Sequence, residues 1–121
     1  MARDNSQCFR CGTVLTERWP GYSCHHRRLR SGGGPDTLDN RIMLCGSGTT
    51  GCHGYVHSNR LEAGIGGWIV SRYGPGPGDV AVCHHQLGPV YLTEDGQLIT
   101  SELYQLAREE NTDAREGNAD G

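Results

Sequence analysis

Two residue types in this chain cluster at spacings that can do chemistry. Four of the six histidines fall between Ser23 and His57: the pair His25-His26, then His53 and His57. Imidazoles gathered like this bind a metal, move a proton, or do both. Four of the six cysteines form two knuckles, Cys8-Phe9-Arg10-Cys11-Gly12 and Cys45 with Cys52. Two thiolates in a tight turn, with a glycine to let the backbone fold round an ion, suit structural zinc bound at about 2.3 Å. The second pair is widened by a glycine-rich gap, Gly46-Ser47-Gly48-Thr49-Thr50-Gly51, so free buried thiols or a disulfide are the alternatives. A zinc closed by four cysteines has no open position and can only staple a scaffold.

These side chains need elements to hold them. The pattern predicts a strand ending near the histidine pair, a long loop through Ser31-Gly32-Gly33-Gly34-Pro35-Asp36, and a return strand near Arg41–Leu44. Thr13–Arg18 and Gly21–Cys24 look extended, broken by Trp19-Pro20-Gly21. His53–Ala63 reads as one helix stopping at Gly64, which puts His53 and His57, four residues apart, on one face. Helical HxxxH also occurs in zinc proteases, but those carry Glu directly after the first histidine, and Gly54 stands here. Gly67–Tyr73 and Val80–Cys83 look β-like, and Val90–Thr100 reads as a hairpin turning at Asp95-Gly96. Ser101 can cap a short helix carrying Leu103, Leu106 and Ala107. Residues 1–7 are expected to fray, and the acidic stretch from Glu109 to be disordered.

Composition narrows the class. A chain of 121 residues with 35% hydrophobic residues and 19 glycines has a small core and needs a staple. Residues 1–60 carry eight arginines against Asp4, Glu17, Asp36 and Asp39, a net +4; residues 61–121 carry three against ten acids, a net −7. The basic half coincides with the histidine window, where a polyanion would dock. Arg27, Arg28 and Arg30 follow the pair and are candidate phosphate clamps, or simply a solvated loop. All eleven basic residues are arginine, which suits bidentate phosphate contact, although a GC-rich genome gives the same bias. Met1–Gln7 contains no apolar run, and no stretch has transmembrane length. We therefore expect a cytoplasmic chain with reduced thiols and no membrane partner.

CxxC at Cys8/Cys11, His25-His26, Asn40 fourteen residues on, and Cys45…Cys52-His53-x-x-x-His57 together resemble the HNH endonucleases of the ββα-metal type, including phage-encoded ones. The resemblance covers residues 8–57; the Gly67-Trp68 continuation is similar, on weaker grounds, to small HNH proteins of actinobacterial phages. It implies an α+β fold with a zinc-stapled, treble-clef-like ββα-metal core over 1–66; beyond it the residues themselves read as a β-rich extension over 67–100 and a short helix with an acidic tail over 101–121. It implies His25, His53 and, as in the histidine-rich colicin DNases, His57 as ligands of a catalytic metal. His26 would be the general base, and Asn40 would brace its loop. Cys8, Cys11, Cys45 and Cys52 would hold the structural zinc.

Histidine at position 25, where aspartate is commoner in the family, leaves neutral nitrogen ligands. Magnesium prefers oxygen, so Mn²⁺, Ni²⁺, Co²⁺ or Zn²⁺ should suit the site better than Mg²⁺. The implied activity is metal-dependent hydrolysis of DNA, by nicking or double-strand cutting, to 5′-phosphate and 3′-hydroxyl ends. The implied partners are DNA and, by analogy with tailed phages, terminase subunits in genome packaging within the host cytoplasm. A zinc-binding module that contacts DNA or protein without turnover is the alternative. Cys24 could be an accessory thiol or a small buried side chain, and Cys83-His84-His85 a further metal locus.

Overall fold

The computed structural model describes residues 2–16, 21–106 and 109. Trp19-Pro20 and the acidic tail expected to be disordered lie outside these, apart from residue 109. The chain is a small mixed α/β protein with two small antiparallel sheets and few helices. Strand β1 (Tyr22–His26) pairs with β2 (Arg41–Cys45), from Tyr22 opposite Cys45 to His26 opposite Arg41. Ile42, Met43 and Leu44 form an unbroken apolar run because β2 is covered on both sides. One side meets helix α1 (Gly51–Ser58), whose Val56 is buried with Ile42 and Leu44. At the edge, the Phe9 N–H donates to the Met43 carbonyl at 2.8 Å, and Asp4 Oδ2 accepts from the Met43 N–H at 2.8 Å.

That last contact corrects the expectation of a frayed N-terminus. Residues Ala2–Asp4 form a 3-10 turn in which Asp4 is buried and Arg3 donates to the carbonyls of Leu38 and Arg41. A polar segment docks here because the edge of β2 offers backbone groups that need partners.

The single predicted helix is two. Helix α1 ends at Asn59, whose backbone (φ −126°, ψ 62°) leaves helical space and whose side chain donates to the Tyr55 carbonyl at 3.0 Å. Helix α2 (Arg60–Ile65) follows. The strand expected over 67–73 is absent: these residues form turns. Gly67 has φ +77°, and a Cβ there would collide with the Ala81 carbonyl, so the chain cannot run on as a pleated strand. The backbone carbonyls of Gly67 and Trp68 instead accept from side chains of the β1 region.

The second sheet is β3 (Val82–His84), β4 (Gly88–Leu92) and β5 (Leu98–Thr100), with β4 central. The hairpin turns at Asp95-Gly96 as predicted, Gly96 taking φ +88°. Residues 101–106 are helical, and Tyr104 stacks on Tyr91 at 3.7 Å. One buried cluster spans both halves, joining Cys8, Phe9, Ile42, Leu44 and Val56 to Val82, Val90 and Leu92. No helix among the described residues is long and apolar enough to cross a membrane.

Candidate functional site

The four cysteines converge from three elements. The first knuckle is a tight turn closed by Cys8 N–H to the Thr13 carbonyl and Gly12 N–H to the Cys8 carbonyl, both at 2.8 Å, with Gly12 at φ +81°. Cys45 ends β2, and Cys52 is the second residue of α1. The gap between them folds back through two left-handed glycines, Gly46 (φ +88°) and Gly51 (φ +61°). A Cβ on Gly51 would lie 2.6 Å from the Cys45 carbonyl oxygen. The widened knuckle is therefore a compact loop that returns Cys52 to Cys45, and the Cys52 N–H points at Cys45 Sγ at 3.4 Å.

All four Sγ atoms lie within 4.8 Å of one another, and Cys11 and Cys45 are 3.8 Å apart. Tetrahedral zinc with sulfur at about 2.3 Å requires sulfurs about 3.8 Å apart, so the set fits a metal such as zinc. The hydrogen bond from Cys52 draws the Cys8 thiol down to about 4 and pushes Cys52 up. Arg10 offsets the charge such a thiolate set carries. Its Nη1 reaches Cys52 Sγ at 3.4 Å, and its guanidinium lies 3.8 Å from the Tyr55 ring and 4.9 Å from that of Trp68. Sequence reasoning missed Arg10, though its place inside the CxxC was a signal.

Three imidazoles form a second, separate group. His25 projects from β1, while His53 and His57 project from one face of α1, as their spacing predicts. Ring centroids are 5.2 Å (His25–His53), 5.5 Å (His25–His57) and 4.7 Å (His53–His57) apart, and each residue offers a nitrogen within 4.8 Å of the others. Burial lowers His25 to about 4, against the opposing pull of the Trp68 carbonyl; burial and His57 lower His53. His25 and His53 are thus biased to be neutral, with lone pairs free for a metal.

Nε2 of His25 lies 2.8 Å from the Trp68 carbonyl. A carbonyl only accepts, so this nitrogen carries the proton and Nδ1 has the lone pair. The Nε2 atoms of His53 and His57 are 3.0 Å apart, close to the separation of adjacent ligands on an ion bound at about 2.1 Å. The other ring nitrogen of His53, Nδ1, is buried with no partner among the described residues. Three nitrogens and no carboxylate suit a borderline transition metal better than magnesium.

His26, next along β1, is not a member of the trio, and its Nε2 meets Asp36 Oδ1 at 2.7 Å. Asp36, which sequence reasoning did not single out, is exposed; its hydrogen bond with His26 and the nearby Arg30 hold its carboxyl below the usual range. Buried Asn40 ties the loop between them. Its Oδ1 accepts from the Arg28 N–H at 2.7 Å, and its Nδ2 donates to the carbonyls of Arg28 (3.0 Å) and Pro35 (2.8 Å).

The arginine trio does not stay together. Arg27 is fully buried and donates to the carbonyls of Gly67 (2.9 Å), Asp39 (2.9 Å), Pro77 (2.8 Å) and Val80 (2.7 Å). That corrects its reading as a phosphate clamp: it pins the loops behind the site. Burial lowers it to about 10, so it remains cationic at neutral pH. Arg28 is half-buried and donates to the carbonyls of Ser71, Gly74 and Pro75. Arg30 is exposed, 3.4 Å from Asp36.

Cys24 is exposed on β1, which corrects its reading as a small buried side chain, and it belongs to neither ligand group. Cys83, His84 and His85 form no metal group among the described residues. They link the sheets instead. The His84 ring packs edge-on to Phe9, the His85 N–H donates to the Phe9 carbonyl, and the His85 ring covers Gly12, where a Cβ would sit 2.6 Å from Nδ1. The chain matches no protein-family model, no curated protein and no solved structure.

Proposed function

We propose that this chain is a metal-dependent DNA endonuclease of the HNH, ββα-metal kind, stapled by zinc on Cys8, Cys11, Cys45 and Cys52. The carrying observation is the convergence of three imidazoles, His25, His53 and His57, beside a thiolate site that is closed. Four cysteines would suffice for a structural staple, so a second group with only three ligands would be free to do other work. The order of two antiparallel strands followed by a helix supports the same fold reading.

In this reading His25, His53 and His57 would hold a divalent ion, which would supply Lewis acidity for phosphodiester hydrolysis. His26 takes the proton of the attacking water. The Asp36 carboxylate can only accept, so the proton on His26 sits on Nε2 and the basic lone pair on Nδ1. Asn40 fixes both ends of the segment from Arg28 to Pro35, which keeps His26 and Asp36 in register. In-line attack at phosphorus would leave 5′-phosphate and 3′-hydroxyl ends. The phage-packaging role, with terminase subunits as partners in the host cytoplasm, belongs to this proposal through the family resemblance.

The test is conversion of supercoiled plasmid by the purified protein with Mn²⁺, Ni²⁺ or Mg²⁺, with EDTA as control, followed by end-labelling of the products. Cutting that EDTA abolishes and that leaves ligatable 5′-phosphate ends supports the proposal. Zinc-loaded protein that binds DNA but cuts under none of these ions would make it a binding module instead.

A further inference from the structure

A cleft of about 300 Å³ lies against the segment that directly follows Trp68, and its wall includes Arg28, Arg60 and Arg72 together with Ser31, Ser71 and Ile69. No carboxylate lines it, and none of the three arginines has an acidic partner within ion-pair distance among the described residues. Three uncompensated guanidinium groups around one concavity repel one another unless an anion joins them.

Each is held differently. Arg28 is fixed by the carbonyls of Ser71, Gly74 and Pro75, so its charge is a rigid part of the wall. The stem of Arg72 packs over Gly32, where a Cβ would come within 3.3 Å of it, and its head lies 4.7 Å from the Tyr73 ring and donates to the Tyr73 hydroxyl. Arg60 is exposed at the start of α2. Their positions follow the candidate catalytic residues closely. Arg28 comes two residues after His26, Arg60 three after His57, and Arg72 four after Trp68, whose carbonyl faces His25. Guanidinium groups with adjacent serine hydroxyls match the tetrahedral oxygens of a phosphodiester.

We propose that this cleft seats a backbone phosphate of the nucleic-acid strand, next to the phosphate presented to the histidine trio, with Arg60 and Arg72 as the contacts sequence reasoning overlooked. The inference rests on the nuclease reading, deepening it by assigning how the strand is held.

The experiment measures binding of a short fluorescent DNA duplex across salt concentrations, in a His26→Ala background so that the duplex survives. Three proteins are compared: the background itself, Arg60→Ala/Arg72→Ala added to it, and Gln86→Glu/Gln105→Glu added to it. The last lowers net charge by the same amount at exposed positions outside the cleft. Thermal melts establish that each is folded. The arginine variant should bind about tenfold more weakly, with a plot of log affinity against log salt shallower by about 0.9 for each phosphate that it no longer neutralises. The glutamate variant should keep the parent slope, because separated charges are screened within about 10 Å at such salt.

Equal slopes in all three, or equal weakening in both variants, would overturn the proposal while leaving the nuclease reading intact. A second arm adds inorganic phosphate at constant ionic strength. If phosphate raises the melting temperature of the parent but not of the arginine variant, while both bind duplex equally, the cleft takes a free anion and the strand assignment is wrong. A parent that does not bind duplex at all overturns both readings. A parent that binds as predicted, from a wild type that never cuts, removes the nuclease reading alone.

Discussion

Replacing Asn40 with alanine isolates the brace from the chemistry. Asn40 is fully buried at the end of the 3-10 turn Leu38–Asn40, and its side chain makes three hydrogen bonds, to Arg28 N–H, Arg28 C=O and Pro35 C=O. Its own carbonyl also accepts from the Arg27 N–H at 2.7 Å, a bond alanine keeps. Each hydrogen bond removed is worth about 0.5–1.5 kcal/mol net, and water can partly replace the asparagine at half-buried Arg28. The expected destabilisation is about 2–3 kcal/mol, within the range a folded domain survives.

Because these hydrogen bonds all belong to the segment between His26 and Asp36, turnover should fall further than the folded fraction does, with KM little changed. Equilibrium urea unfolding of the zinc-loaded protein gives the first quantity, and cleavage rate per folded molecule gives the second. Asn40→Asp should be no better than alanine, since it points a carboxylate oxygen at two carbonyls. A destabilisation under about 0.5 kcal/mol with unaltered cleavage would refute the brace.

Other expectations follow from the same interactions. Arg27→Met strands four carbonyls and should cost about 3–5 kcal/mol in urea unfolding, while DNA affinity per folded molecule stays unchanged, the opposite of what a phosphate clamp would give. Cys45→Ser, or a strong zinc chelator, should remove the cooperative unfolding transition seen by circular dichroism, because the small core depends on the staple; a chelator-treated protein with an unchanged melt would contradict this. Asp36→Asn should slow cleavage about three- to tenfold at unchanged KM, since an amide can present its N–H to Nε2 and shift the lone pair away from Nδ1; an unaltered rate would remove Asp36 as a positioning residue.

What the sequence disclosed was local. The strand pair around His25 and Ile42 is set by alternation and an apolar run, the Asp95-Gly96 turn by its dipeptide, and the His53/His57 face by helical spacing. The cysteine pairs were legible because four thiolates in two knuckles have few other uses.

The misses were non-local. Arg27 looked like one of a basic trio, yet its partners at Gly67, Pro77 and Val80 are 40 to 53 residues away. One signal was available: Arg27 follows His25 by two, so an extended chain turns both to the same, inward side. Asp4 and Arg3 read as a polar terminus because nothing local reveals an unpaired strand edge for them to cap. The expected strand over 67–73 failed because its carbonyls are taken by Arg27 and His25, and hydropathy carries no trace of that. Arg60 and Arg72 were invisible as a pair, since only the turn after α2 brings them to one cleft with Arg28.

The most direct test of the nuclease mechanism is the single-turnover rate of duplex cleavage with Mn²⁺ for wild type and His26→Ala, with metal binding measured on both. Both proteins should bind the ion alike, because His26 lies outside the His25–His53–His57 group. The variant should cut about 10²–10⁴-fold more slowly. Equal rates in the two proteins, or no cleavage by either, would contradict the mechanism.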